Sequence, residues 1–446
     1  MLKKSDFGKD FRWGTTISAF QNEGAATMAD KSPSIWDHFV AQPDIVKNRD
    51  KIGDAADFYH RYKADLKLAS HLNFNAFRFA PAWTRILPNG TGPVNHKGVD
   101  FYDRVIDKCL KRGLEPWLTL YHWDLPQILE DKGGWTNRDV VDWYSEFAHA
   151  CTTRFGDRVK HWIVMNEPMT FTGMGYFMGY HAPGRKGITN FLPAAHHAVL
   201  CMTEGGRIVK QNVRDGVCGP ALSCSYVSPV NLRPRNLRAA QRVEALLNRF
   251  FLEPLLGMGY PTDVMPALTV MEHYMKPGDK EKMRFDFDFI GLQYYFRVVA
   301  KFSLTPPILF ANEVSPSLRK AKLNLMNLDV YPKGLKHLLK FYADYPQIKQ
   351  LILTESGVCF PDFPIGGRIH DVERTKYHQE ILKVTKKAIK KGVPVGGYFA
   401  WTLVDNFEWR EGFEPRFGLV YNDFSSQQRI VKDSGEWFKE FLNEKK

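Results

Sequence analysis

The chain has 446 residues, is 44% hydrophobic and carries a formal charge of +12 at pH 7. That length supports a sizeable core, and no run approaches the roughly twenty apolar residues a membrane span requires. The positive balance raises nucleic-acid binding, but no recognised binding motif accompanies it, and it argues mildly against a cationic substrate. The densest basic stretch, Lys383, Lys386, Lys387, Lys390 and Lys391, reads as the solvated face of an amphipathic helix with Ile381, Val384 and Ala388 opposite.

The N-terminus, Met1-Leu2-Lys3-Lys4, lacks the apolar core of a signal peptide. The six cysteines show no CxxC or metal-ligand spacing, as expected of small core residues in a reducing compartment, so the chain reads as cytoplasmic. No Pro/Ser/Gly-rich linker, low-complexity tract or short repeat divides it. One catalytic domain over residues 1–446 is the expectation.

Short apolar, β-branched or aromatic runs fall at 11–15, 76–80, 116–121, 162–166, 217–222, 289–294, 351–354 and 397–402. Helical periodicity falls between them at 57–71, 98–112, 138–155, 194–211, 235–253 and 375–391. Strands alternating with helices imply a parallel sheet. Eight such units predict an α/β fold, a single (β/α)8 TIM barrel with long βα loops and an active site at the C-terminal ends of its strands.

Two glutamates stand out. Glu167 closes the fourth run and Glu355 the seventh. A carboxylate at the end of a buried strand costs desolvation energy unless something offsets it. Two, on separate strands, fit a pair held over one bond, as cleavage of a glycosidic bond needs: one protonates the leaving oxygen, the other attacks or stabilises the sugar cation. A lone Glu could simply cap a strand. Here Gln21, Arg78, His122, Trp123, Tyr295, Trp401 and Glu408 also fall just after strands, a clustering that purely structural residues would not show. His196 and His197 are adjacent on a helix, point in different directions and have no partner at ligand spacing, so they read as structural and no metal site is expected.

Several blocks resemble glycoside hydrolase family 1, the retaining β-glycosidases. They are the N-terminal stretch from Phe11 to Gly24, Phe77-Arg78-Phe79 with Ala82 to Ile86, Thr119 to Pro126, Asn166-Glu167-Pro168, Thr354-Glu355-Ser356-Gly357, Ala400 to Trp409, and Arg416 to Leu419. The resemblance spans almost the whole chain and implies Glu167 as general acid/base and Glu355 as nucleophile. It implies that Gln21, His122, Trp123, Asn166, Tyr295, Trp401, Glu408 and Trp409 bind the sugar, with Trp401 as a platform. Arg78 and Tyr295 would orient the nucleophile. It further implies a small carbohydrate substrate and no metal or organic cofactor. No nucleic-acid or membrane partner is expected, and a homo-oligomer is left open.

The chain departs from the family pattern at Ser356, where Asn is usual, at Gln293, where Asn commonly precedes the tyrosine pair, and at Met169. The segment 297–330 matches poorly, and its loops, including Lys301 to Pro307, would shape the leaving-group pocket. One rival is a 6-phospho-β-glycosidase. Glu408 stands where those relatives carry Ser and would repel phosphate; Arg416 is the cation in that region. The rival of another class is a non-catalytic sugar-binding relative, which would be expected to lack one of the two glutamates.

Overall fold

The computed structural model describes residues 2–305 and 309–443; Pro306 and Pro307 of the expected leaving-group loop lie outside them. Eight parallel strands form the ring: β1 (Arg12–Thr16), β2 (Ala76–Phe79), β3 (Glu115–Thr119), β4 (His161–Asn166), β5 (Val217–Pro229), β6 (Ile290–Phe302), β7 (Leu351–Ser356) and β8 (Val395–Trp401). Neighbours in sequence pair around it, β8 returns to β1, and β5 pairs with β6 to close the ring. The barrel core is a layer of inward residues, Ala76, Trp117, Ile163, Ala221, Phe289, Ile352 and Phe399. The ring closes tightly at β1–β8, where a Cβ on Gly14 would lie 2.1 Å from the Phe399 ring.

Each strand is followed by a main helix: α1 (Phe58–His71), α2 (His96–Lys111), α3 (Val140–Phe155), α4 (Ile188–Asn212), α5 (Pro234–Glu244), α6 (Leu335–Ala343), α7 (Val372–Ile389) and α8 (Asp433–Leu442). In α2, Val99, Tyr102, Val105, Ile106 and Cys109 are buried at helical spacing. The side chain of Asn95 caps its first turn by accepting from the Lys97 N–H. On α7, Ile381 and Ala388 are buried and Val384 half-buried, while Lys383 and Lys387 are exposed and Lys386 pairs with Asp6 at 2.5 Å.

All eight expected strands are present, and three expectations change in detail. The helix expected over 235–253 is α-helical only to Glu244; it then widens into a π turn, Ala245–Arg249, before a short turn at Leu252–Leu255. Asn248, on the widened turn, bonds both the N–H and the carbonyl of Ser225, a tertiary contact that periodicity does not reveal. Strands β5 and β6 run well past the barrel mouth, and Val298 and Ala300 there pack on Ala239, Ala240 and Val243 of α5. Helices α6 and α8 complete the outer ring.

Candidate active site

The C-terminal ends of the strands deliver the expected residues to one cluster at the barrel mouth. Arg78, next to the end of its strand, is 1% exposed, and all three of its guanidinium nitrogens donate. Nε donates to Thr119 Oγ1 at 2.9 Å, Nη1 to the Thr354 carbonyl at 3.0 Å and to Glu355 Oε1 at 2.5 Å, and Nη2 to Asn166 Oδ1 at 2.5 Å. Tyr295 Oη donates to the other Glu355 oxygen at 2.7 Å. Both oxygens of Glu355 are therefore held, one by a cation and one by a neutral donor.

Glu167 is buried and sits at the turn from β4 into the short helix Pro168–Thr172, with φ 46°. Trp123 (φ 75°) and Trp409 (φ 53°) share that left-handed backbone, which is strained for residues with a side chain and clusters at functional sites. Burial raises the carboxyl pKa of Glu167 well above the ordinary range, and the charge of Glu355 raises it further. Burial also raises Glu355, but Arg78 and the Tyr295 hydroxyl pull it back. The same desolvation thus acts on both, and the braced partner ionises first.

The sugar-recognition candidates form the opposite wall. Gln21 Nε2 donates to Glu408 Oε2 at 3.2 Å, while Gln21 Oε1 accepts from Ser18 Oγ at 2.8 Å. His122 Nε2 lies 3.2 Å from Asn166 Nδ2, and Trp123 Nε1 donates to the Asn166 carbonyl at 2.9 Å. The His122 ring lies 6.1 Å from both Trp401 and Trp409. Burial holds the His122 imidazole well below its usual pKa, with Arg78 adding to the shift, so the ring is neutral. Trp401 ends β8 against Cys359 and Phe417, with Tyr295, Leu325 and Met326 packed beside it. Leu325 and Met326 come from the segment that resembles the family least.

All eleven residues expected from the sequence therefore lie in one constellation. Thr119, Ser18 and Asn406, whose Oδ1 lies 3.4 Å from Gln21 Nε2, were not singled out; they lie within the blocks that resemble the family, which was the signal for them. Ser356 faces away, its hydroxyl 3.0 Å from Tyr377 Oη and 3.3 Å from the Tyr294 carbonyl. His196 lies between Asp279 and Tyr260, and His197 bonds the Trp135 carbonyl, as structural histidines do. Among the described residues no group of three His, Cys, Asp or Glu is arranged to hold a metal ion.

The charge argument about Glu408 changes. Burial, with the charge of Glu355, pushes its carboxyl up to about 8, so it is mostly neutral at pH 7 and repels an anion less than a carboxylate would. The nearby cations decide the matter. Arg416 donates to Asp405 at 3.0 Å and to the Asn422 carbonyl at 2.9 Å, with its guanidinium stacked 4.2 Å over Tyr421. Lys47 is paired with Glu414 at 2.6 Å. Both are already engaged.

A barrel mouth that braces one carboxylate and keeps a second one protonated is suited to cleaving glycosidic bonds, the work of the glycoside hydrolases. The model of Glycosyl hydrolase family 1 matches residues 3–446, and the chain belongs to that family. It is similar to the 1,4-beta-D-glucan glucohydrolase of Thermotoga neapolitana, 37% identical over 97% of each chain. It is also similar to beta-glucosidase A of Thermotoga maritima, 38% identical over 97% of this chain and 96% of that one. The solved T. maritima beta-glucosidase in complex with deoxynojirimycin superposes with a TM-score of 0.93 at 37% identity, covering 98% of each chain.

Proposed function

We propose that the protein is a retaining β-glucosidase that removes terminal non-reducing β-D-glucosyl residues from short oligosaccharides or aryl glucosides. The observation that carries the reading is the unequal treatment of two buried carboxyls. Glu355 receives Arg78 and Tyr295, whereas burial and the charge of Glu355 keep Glu167 protonated.

Retaining enzymes hold such a pair about 5–5.5 Å apart. Glu355 attacks the anomeric carbon while Glu167 gives its proton to the departing oxygen. Once the ester forms, the charge on Glu355 is gone and the pKa of Glu167 falls. Glu167 then takes a proton from water, which attacks the same carbon and releases glucose with its configuration retained. Gln21 and Glu408 can each bond two adjacent hydroxyls, Asn166 and His122 add further polar groups, and Trp401 stacks on the apolar C–H face of the ring. Trp123 and Trp409, with ring centroids 4.5 Å apart, line the same wall.

The glucose preference is carried from the two Thermotoga relatives. β-Galactosides and β-fucosides remain compatible, because the Gln21 amide and Glu408 carboxyl can reach either orientation of the 4-hydroxyl. The residues 1–446 act as one catalytic unit in carbohydrate metabolism. Six buried free thiols fit a reducing cytoplasm.

The test is phenol release from an aryl β-D-glucoside and from its 6-phosphate, side by side and without added metal. Faster release from the unphosphorylated sugar is expected. Faster release from the phosphate would mean an anion site outside Arg416 and Lys47. Release from neither, with sugar still bound, would favour a binding protein.

A further inference from the structure

The outer halves of β5 and β6 stay paired beyond the barrel mouth, with the Val230 N–H donating to the Ala300 carbonyl at 2.9 Å. Helix α5 packs on this extension through Ala239, Ala240 and Val243, and Asn236 Oδ1 accepts from the Phe302 N–H at 2.8 Å. Arg235, Arg238 and Arg242 recur at steps of three and four, so they share a second stripe of the helix; Arg233 precedes it. Arg233, Arg235 and Arg238 are exposed, and among the described residues none of them pairs with a carboxylate. Arg242 donates to the Leu309 and Phe310 carbonyls at 2.6 and 2.9 Å. Burial lowers its guanidinium pKa and the charge of Arg238 lowers it further. Glu313, on the short strand beside β6, is already paired with Arg319 at 3.4 Å. Apolar side chains stand in water among these cations: Leu232 is 81% exposed, Val230 42%, Phe310 40% and Leu237 38%. The Arg235 and Arg242 guanidiniums each lie 6.0 Å from a ring, that of Phe302 and of Phe310, so the two kinds of surface interleave.

We propose that the arginine stripe of α5, with the turn at 230–233 before it, is a docking surface for a bilayer of anionic phospholipid. A guanidinium forks onto phosphate oxygens in bidentate pairs. Exposed aliphatic side chains beside such cations enter the layer just beneath the headgroups. A polyanion such as RNA would satisfy the arginines and leave Leu232 and Val230 in water. An apolar peptide would cover the leucines and leave three cations without counter-charge. An anionic bilayer offers both chemistries, phosphate above and acyl chain below. Attachment of this kind needs no membrane-spanning segment, and among the described residues no helix is long and apolar enough to be one. The sequence expectation of no membrane partner therefore holds for spanning the bilayer and not for resting on it. Because the extension continues β5 and β6 past their C-terminal ends, docking brings the mouth end of the barrel nearer the lipid than its other end.

The test is co-sedimentation of the full chain with vesicles of phosphatidylcholine alone and of phosphatidylcholine with about 30% phosphatidylglycerol. Binding to the anionic vesicles should be at least about tenfold stronger than to the neutral ones and should weaken as salt rises. Each basic side chain at such a surface contributes about fivefold, so the triple variant Arg233→Gln, Arg235→Gln, Arg238→Gln should lose about 100-fold. Leu232→Ser should lose about tenfold. Both variants should keep the thermal unfolding of wild type. The control variant Lys383→Gln, Lys387→Gln, Lys390→Gln removes the same charge from α7 and should stay within about threefold of wild type. Equal losses in the arginine and lysine variants would show attraction by net charge alone and overturn the proposal. Equal binding to the two vesicles, or binding to neither, would also overturn it. So would a Leu232→Ser variant that binds like wild type, or tighter capture of a single-stranded RNA oligomer than of the anionic vesicles, because either would mark a site for anions without lipid.

Discussion

Replacing Tyr295 by Phe removes one atom from the brace on Glu355. Tyr295 Oη donates to Glu355 Oε2 at 2.7 Å, and burial with nearby carboxylates holds the phenol well above its ordinary pKa, so it stays a neutral donor throughout the working range. A hydrogen bond to a charged group is worth about 1.5–3 kcal/mol. Because 1.36 kcal/mol corresponds to one pKa unit, its loss should raise the Glu355 pKa by about 1–2 units. The acidic limb of the kcat/KM profile reports the nucleophile in the free enzyme and should move to higher pH by that amount. The alkaline limb, which reports loss of the Glu167 proton, should move less. The assay is phenol release from an aryl β-glucoside across the pH range, with stability checked at each end. An acidic limb that stays in place or moves to lower pH would refute the claim that Tyr295 holds Glu355 ionised.

Glu167→Gln should cut kcat/KM by about 10²- to 10⁴-fold on a glucoside with a poor leaving group, while a dinitrophenyl glucoside, which needs no protonation to depart, should be far less affected; an equal loss on both would argue against the acid role. Lys432 is fully buried between Asp362 at 2.5 Å and Asp405 at 2.7 Å, so Lys432→Met should leave carboxylates uncompensated and cost roughly 3–5 kcal/mol in denaturant unfolding; a loss below about 1 kcal/mol would show that Arg374, 2.8 Å from Asp362, and Arg416, 3.0 Å from Asp405, suffice. At the other end of the barrel, burial pushes the Glu115 carboxyl up, but the nearby His161 ring and bonds from Arg12 and Trp117 win and bring it down to about 2. A lowered carboxylate pKa gives stability that is complete above the unfolded pKa and lost as pH falls through the folded one. The stability advantage of wild type over Glu115→Gln should therefore be full above about pH 4.5 and fade toward pH 2; an advantage that grew on acidification would contradict it.

The barrel was legible because its strands are short apolar runs buried on both faces, such as Ala76–Phe79 and Leu351–Ser356, set between helices with a clear 3.6-residue stripe such as α2. The outer half of β5, Ser-Cys-Ser-Tyr-Val-Ser-Pro, was not legible, because it carries no apolar run of its own and is held by pairing with the outer end of β6. Helix α6 is short, and helix α8 lies beyond the last strand. Within the site, Gln21, His122, Asn166, Trp401 and Glu408 could be found because they fall just after strands within recognisable blocks. What joins them could not. Thr119 matters because the Arg78 guanidinium passes 2.9 Å away, and Gln293 because its amide donates to the same Asn166 oxygen that Arg78 holds. The charge of Glu408 was misjudged for the same reason: its sign at neutral pH depends on burial and on Glu355, neither of which is a property of its own sequence neighbours.

In the proposed double displacement Glu355 forms a covalent bond to the sugar. An activated 2-deoxy-2-fluoro-β-D-glucoside slows release of the intermediate, and proteolysis followed by mass spectrometry locates the adduct. One fluoroglucosyl unit on the peptide containing Glu355, with activity lost in step, is the predicted result. An adduct on Glu167 or Glu408, or inactivation with no adduct, would contradict it.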